Sequence, residues 1–524
     1  MQATKVYFIK GIIYVLFCAL IIHFVSFNNI QRNQSHKEIS NQSIIKGKQL
    51  AAIYCKTCHM LPEPSLLDAD TWEEKVLPAM GPHLGIFEFD FRKYPSSRGD
   101  IHLNRSYYPS QPVITNEQWQ DLVNYYIAIS PDSLTIRTPK EKGVIHELPF
   151  FQVQVPSLKY TGPTIGYVKI NTRDSLHRLI ASDLLNHTVF FFDKDLRLTD
   201  SLDSKGPVVN IDFQPGKIVL CNIGSLVPTN GKFGKAQFLG IAGHQQPVID
   251  SSVLFDKLAR PVQVTSTDLN QDGITDYLAC EFGYLTGSLS WMEGTHAGSF
   301  IKHILNPLPG AIEVHITDFN HDGLPDILAL MAHAEEGIFL YENKGNGLFD
   351  QQEILRFPPS YGSSSFELDD FNKDGFADIL YTCGDNADYS PILKPYHGVY
   401  IFMNDGRNHF EQKYFFPLNG CYKAIAGDFD RDGDLDIAAI SFFADYRKEE
   451  GFIYLQNNGP LNFKPYTTAL LTTGRWLSMD AGDIDGDGRP DLVLGNCSRG
   501  PISNNTKTDW TQGPPFIVLK NISP

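Results

Sequence analysis

Five short segments carry one pattern, D-x-[DN]-x-D-G-x-x-D, and recur at a spacing that few folds accept. They are DLNQDGITD from Asp268, DFNHDGLPD from Asp318, DFNKDGFAD from Asp370, DFDRDGDLD from Asp428 and DIDGDGRPD from Asp483. Successive starts lie 50, 52, 58 and 55 residues apart. Positions one, three, five and nine offer oxygen donors, and the glycine at position six permits a sharp turn with φ > 0. Hard oxygen donors in a flexible loop suit calcium, which accepts six to eight of them. The expected ligands are Asp268, Asn270, Asp272 and Asp276; Asp318, Asn320, Asp322 and Asp326; and Asp370, Asn372, Asp374 and Asp378. The last two loops add Asp428, Asp430, Asp432 and Asp436, then Asp483, Asp485, Asp487 and Asp491. An EF-hand would also need an acidic residue at position twelve. Ala279, Ala329, Tyr381, Ala439 and Leu494 stand there instead. A single copy reads equally as an acidic turn without metal; five copies at one period argue for about five calcium sites. Five divalent ions would offset ten of the sixteen net negative charges of the chain.

Each loop leads into a strand, not a helix. YLAC, ILAL, ILYT, IAAI and LVLG are short continuous apolar runs, the pattern of a strand buried on both faces. GIFLYENKGNGLF, GVYIFMNDGRNHF and GFIYLQNNGPLNF then share one plan: a strand, an Asn/Gly turn, and a phenylalanine opening an outer strand. A period near fifty residues with about four strands predicts propeller blades. Two earlier units, 177–195 and 208–224, keep the strand-like runs and lose the carboxylates, which brings the count to seven. The C-terminus stops after a third strand. FFQVQV, residues 150–155, is expected to supply the fourth and close the ring, which removes exposed edges. These repeats resemble the FG-GAP (VCBS) repeats that build the propeller of integrin α subunits and occur in bacterial surface proteins. The resemblance implies a mainly β fold, a seven-bladed β-propeller over residues 150–524.

Ahead of the propeller stands AAIYCKTCHMLPEP, with Cys55, Cys58 and His59 spaced as Cys-x-x-Cys-His. That spacing attaches c-type haem: two thiols bond the porphyrin edge and the adjacent histidine reaches the iron. SIIKGKQLAAIYC predicts a helix with Ile44, Ile45, Leu50, Ala51, Ile53 and Tyr54 on its apolar side. TNEQWQDLVNYYIAI predicts a second, with Thr115 and Gln118 as a capping box and Glu117 and Asp121 near its positive end. Zinc would require two more ligands nearby, and a thioredoxin-like motif a βαβ setting; neither is evident. Residues 43–131 resemble a class I cytochrome c, which implies a small all-α domain with one haem c. Such cytochromes place a ligand methionine shortly before the last helix, where this chain reads YYPSQPVIT. Met80 is therefore the expected sixth ligand, with His83 and His102 as alternatives. Methionine favours a relatively high potential and histidine a lower one. Residues 132–149, with prolines and charges, read as a linker.

The N-terminus gives the location. Lys5 and Lys10 precede GIIYVLFCALIIHFVSF, an apolar run of 17 residues at the border between a signal core and a spanning helix. Residues 1–30 are read as a membrane anchor with the lysines inside; a cleaved signal and a lipoprotein at Cys18 are the alternatives. Each sends the rest of the chain out, to the periplasm or cell surface. The membrane is then touched only through this segment. The acidic balance argues against nucleic acid or an anionic membrane surface as partner. Cys221, Cys280, Cys383, Cys421 and Cys497 are too widely spaced for a disulfide framework and read as buried strand residues.

No phosphate loop, nucleophile elbow or helical H-E-x-x-H is present. Five tryptophans are too few for the Trp-rich repeats of a quinone-dependent propeller dehydrogenase. Three long loops are chemically dense: 383–398, 442–451 and 497–513. All fall after the strand that succeeds an acidic loop, so they share one face. Asp385, Asp388, Lys394, His397, Asp445, Arg447, Arg475 and Trp476 are the expected ligand face; solvated polar loops are the plain alternative. The leading reading is an exported haem c electron carrier whose propeller docks a protein or glycan and whose haem serves a redox partner. One alternative is a dehydrogenase of a small substrate such as a sugar, with haem as acceptor. Another is an adhesion protein.

Overall fold

In the computed structural model the described residues are 39–136, 143–174, 176–214, 217–240, 247–387, 390–501 and 508–524. The expected anchor at residues 1–30 and the candidate Asp388 lie outside them. Among the described residues no helix is long and apolar enough to cross a membrane. Two compact units emerge. One contains the described residues up to Lys56, with Glu63–Ser96 and Tyr108–Ser133; the other contains Thr57–Pro62, Ser97–Tyr107 and Leu134–Pro524.

The second unit is a seven-bladed propeller. Blade 1 runs through Ile165–Ile170, Leu179–Asp183, Thr188–Phe192 and Leu198–Asp203; blade 2 through Val208–Gln214, Lys217–Asn222, Gly234–Gly240 and Val248–Leu258. Blades 3 to 6 begin at Pro261, Ala311, Ser363 and Cys421, each an antiparallel sheet of four strands. Blade 7 takes three strands from the C-terminus, Trp476–Gly482, Asp491–Asn496 and Phe516–Asn521. Its fourth is Phe151–Gln154, paired so that Phe151 faces Asn521 and Gln154 faces Val518. The ring is thus closed by joining the two ends of the sheet sequence, as the missing outer strand required.

The burial pattern explains the strand sequences. Each second strand has a partner on both sides within its sheet and a neighbouring blade on each face. DYLACE, DILALM, DILYTC, DIAAIS and DLVLGN are accordingly buried at every position. Fourth strands lie at the rim, and FDQQEILR is largely exposed. The cores therefore lie between blades: Leu278, Cys280 and Trp291 of blade 3 pack with Val314, Ile327 and Met331 of blade 4. Each such side chain contributes about 1.5–3 kcal/mol by leaving water. The five propeller cysteines are buried thiols.

The inner strands expose one edge to the central channel, and side chains of the preceding blade cap it. Val264 N–H donates to Asn210 Oδ1 (3.2 Å), Val314 N–H to Gln263 Oε1 (2.8 Å), Phe366 N–H to Glu313 Oε2 (3.0 Å) and Ile170 N–H to Asp480 Oδ2 (2.8 Å). Buried edge amides are satisfied in this way without a further strand.

The helical unit is built on two crossing helices, Asn41–Tyr54 and Asn116–Ile129. Thr115 and Gln118 make both bonds of the capping box, at 3.2 and 2.8 Å. Gly47 is the crossing point, where an added Cβ would lie 2.0 Å from the Asp121 carbonyl oxygen. Ala51 is buried there too, but Ile45 and Ile53 are 59% and 57% exposed, so the apolar side expected of this helix is only partly used. Trp72 packs against Tyr126 at 4.4 Å with the rings tilted by 41°, and donates from its indole to Pro64 O at 2.9 Å.

Toward the end of residues 132–149, Ile145 bridges Tyr466 in parallel, and Leu148 packs on the core of blades 6 and 7.

Candidate functional site

The five acidic loops join the first and second strands of blades 3 to 7, and their internal bonding repeats. The carboxylate at position one accepts from the amide of position six: Gly273 to Asp268 (3.0 Å), Gly323 to Asp318 (2.9 Å), Gly375 to Asp370 (2.8 Å), Gly433 to Asp428 (3.1 Å) and Gly488 to Asp483 (2.9 Å). That glycine has φ between 80° and 94° in every copy. Position four is also left-handed, although four of the five residues there, Gln271, His321, Lys373 and Arg431, carry side chains.

Position nine opens the second strand and is the most buried carboxylate of each loop. Asp436 accepts Phe429 N–H at one oxygen (3.2 Å) and Asn457 N–H at the other (2.8 Å). Asp276, Asp326, Asp378 and Asp491 repeat the arrangement. Asp436 Oδ2 also accepts the Tyr454 hydroxyl at 2.6 Å, and Asp326 Oδ2 a second amide, that of Asn320. Burial pushes Asp436 up to about 7, and Asp378 and Asp491 to about 6. Carboxylate oxygens of Asp428, Asp430 and Asp432 come within 4.8 Å of one another, as do those of Asp483, Asp485 and Asp491. Like charges at that distance repel unless a cation lies among them, and an all-oxygen donor set suits calcium. The Asp428, Asp430 and Asp432 cluster therefore fits the ion; in the second cluster Lys520 already bonds Asp485. In the first three loops position three is an asparagine whose amide nitrogen turns to the carboxylate at position five, at 3.2, 3.0 and 2.8 Å.

The long loops join second to third strands and so share the opposite face. They do not present the expected side chains. Arg475 is fully buried: its Nε donates to Phe442 O (3.1 Å) and Tyr446 Oη (2.9 Å), its Nη1 to Arg499 O (3.1 Å), and its plane stacks 3.7 Å from the Phe442 ring centre. Trp476 is buried and donates to Leu471 O at 2.8 Å. Arg475 ties loops 442–451 and 497–513 together, and Trp476 packs in the core of blades 6 and 7. Asp445 is buried under the fork of Arg447, with both bonds at 2.7 Å. His397 is 1% exposed, and neither ring nitrogen finds a hydrogen-bond partner among the described residues. Burial, then the Lys394 ammonium, holds its pKa well below the usual value. Asp385 is half-exposed, accepting Ala387 N–H at 2.8 Å, and the Arg447 side chain is exposed while it bonds Asp445.

Two carboxylates on this face were not expected from the sequence. Glu336 accepts from Ser363 N–H (2.6 Å) and Oγ–H (2.7 Å), and burial pushes it up to about 8. Glu450 accepts from Asn419 (2.8 Å) and is pushed by burial to about 7. The signal was there: Glu-Glu-Gly precedes the third strand in both blades, at 335–337 and 449–451.

At the Cys-x-x-Cys-His motif, Cys55 caps the first helix by donating its amide to Ala51 O, and its side chain is half-buried. Cys58 is exposed, and both stand as thiols. His59 is half-buried, with Nδ1 2.9 Å from Met60 O. A carbonyl only accepts, so Nδ1 carries the proton and Nε2 keeps its lone pair. Burial lowers the pKa of the ring, which favours that neutral form. Two thiols and a neutral imidazole fit covalent haem. Met80 ends the Leu77–Met80 turn, half-buried. His83 lies edge-on to Tyr108 and His102 edge-on to Phe233, each at 5.4 Å.

Comparison with known proteins agrees with the repeat geometry. The FG-GAP-like repeat family matches residues 268–329, 318–381 and 442–494. Cartilage acidic protein 1 of Mus musculus is 29% identical over 169 residues, 30% of this chain and 24% of that protein. The chain thus spans about a quarter of the length of this curated relative. Among solved structures, an Agrocybe aegerita lectin that recognises non-reducing terminal N-acetylglucosamine is similar at 13% identity, TM-score 0.39, over 70% of this chain and 98% of the lectin. Saccharomyces cerevisiae Sqt1 is similar at 10% identity, TM-score 0.42, over 71% of this chain and all of Sqt1. The chain carries FG-GAP-like repeats in a seven-bladed propeller.

Proposed function

We propose that this is an exported haem c protein whose calcium-stiffened propeller binds a protein or glycan, with the haem serving a redox partner. The propeller is the firm part: a rigid ring with long loops on one face suits binding, and FG-GAP-like repeats point the same way. The redox part rests on one observation, the Cys-x-x-Cys-His at a helix end with His59 Nδ1 committed to a carbonyl. Cys55 and Cys58 would hold the porphyrin, and His59 and Met80 would be the ligands of its iron. Bound haem would supply one-electron chemistry. The chain's contribution is to fix the imidazole tautomer and to half-bury the ring, which with the second ligand tunes the potential.

The dehydrogenase alternative rested on side chains of the long-loop face. Burial of His397, Asp445 and Arg475 weakens it, since a base must reach a substrate proton. Binding is favoured over catalysis for that reason. The test is a visible spectrum of the exported protein, oxidised and reduced. A c-type spectrum with a weak far-red band that Met80→Ala removes supports the reading. Such a band surviving Met80→Ala moves the ligand elsewhere; haem reduction by a sugar alone would restore the dehydrogenase.

A further inference from the structure

The five acidic loops are not equivalent, because a third-strand side chain of the same blade faces each one. That residue precedes the strand's last position and is Glu293, Glu342, Met403, Gln456 and Lys520 in turn. Glu293 and Glu342 meet the position-three asparagines, at 3.3 Å from Asn270 and 3.0 Å from Asn320, and bring a fourth carboxylate where asparagine replaces one. Gln456 donates to Asp430 at 2.6 Å. Lys520 is different: its ammonium bonds the Asp485 carboxylate and lies 3.9 Å from Asp487.

The surroundings of that last loop are cationic as well. Arg489 donates to Asp487 at 2.5 Å, and Arg178 of blade 1 donates to the carbonyls of Asp483 and Ile484, both at 2.8 Å. Other lysines near the loops do not bond the loops' own donor carboxylates: Lys344 reaches the facing Glu342, and Lys373 reaches Asp434, a position-seven residue outside the donor set. Among these loops only Asp485 and Asp487 have lysine or arginine on the position-three and position-five carboxylates within the described ion pairs. Blade 1, next in the ring, shows a related device: buried His177 lies between Asp174 and Asp200, each 2.9 Å away, in a loop without the carboxylate set.

We infer that Lys520 supplies the cation of loop 483–491, so that the closing blade is held without metal while the other four acidic loops take calcium. The inference rests on the calcium reading above. A tethered ammonium is always present at high effective concentration, and a divalent ion would have to displace it against the charges of Lys520 and Arg489. The placement has a structural consequence. Lys520 pairs with Gln152 across the strand that closes the ring, so closure does not depend on calcium supply.

Equilibrium dialysis of the full chain against calcium tests this. The wild type should bind one ion fewer than its five loops at the concentration that saturates it, and Lys520→Met should gain that ion. Lys520→Gln, which keeps a polar end, should gain it too and guards against a misfolded methionine variant. Asp428→Ala, at position one, which is aspartate in every loop, should lose one ion in either background. Five equal sites in the wild type, or no gain in both Lys520 variants while Asp428→Ala still loses one, would overturn the inference and leave the calcium reading intact. No calcium bound by the wild type would remove both.

Discussion

At the scale of single residues, two positions are decided by what surrounds them. Gly47 has no room for a Cβ, with Asp121 O at 2.0 Å and Tyr125 Cβ at 2.6 Å, both contacts on the opposing helix. Gly47→Ala must separate the helices and is expected to cost about 1–3 kcal/mol, read as a lower denaturant midpoint of the helical unit. Glu336 is fully buried and its carboxyl is raised to about 8. Its folded value exceeds its unfolded one, so its stabilising contribution is complete below pH 4.5 and disappears as pH rises through about 8. The loss for one such group is roughly 5 kcal/mol at most. Glu336→Gln keeps the acceptor for Ser363 and should be more stable than the wild type at about pH 9, with no advantage at about pH 4, in denaturant titrations at the two pH values. The reverse order would mean that Glu336 is favoured as a charge.

At the scale of elements, the sequence was most legible where a pattern repeats. The loops, the buried second strands and the closing role of residues 150–155 come from spacing and alternation, because a propeller repeats one environment in each of its blades. The capping box at Thr115 was equally plain, since its bonds are local. What stayed hidden depends on three-dimensional neighbours. Nothing local tells that Arg475 turns inward to carbonyls of two loops, or that Lys520 meets a loop 35 residues before it. The position-nine carboxylates were readable as acids but not as strand residues pinned by two amides. The closing strand gives a direct test: removing residues 150–155 leaves Phe516–Asn521 with an open edge. That variant should unfold at lower temperature and associate, seen by light scattering. A truncated chain that stays monomeric with an unchanged melting curve would mean that the seam carries little of the ring's stability.

At the scale of the whole molecule, the ring and the haem tether make separate claims. Ions that bind only the folded state stabilise it, so excess chelator should lower the melting temperature of the propeller and added calcium should restore it. An unchanged melt in chelator would make the loops acidic turns. The central claim is that one chain joins a calcium-loop propeller to covalent haem. The most direct measurement is the mass of the protein isolated from an exporting host that attaches haem c, with the proteolytic peptide containing Cys55, Cys58 and His59 mapped. The account predicts a mass increment of one haem, confined to that peptide and resistant to acid extraction. An unmodified peptide from such a host would contradict it and leave a propeller built for binding alone.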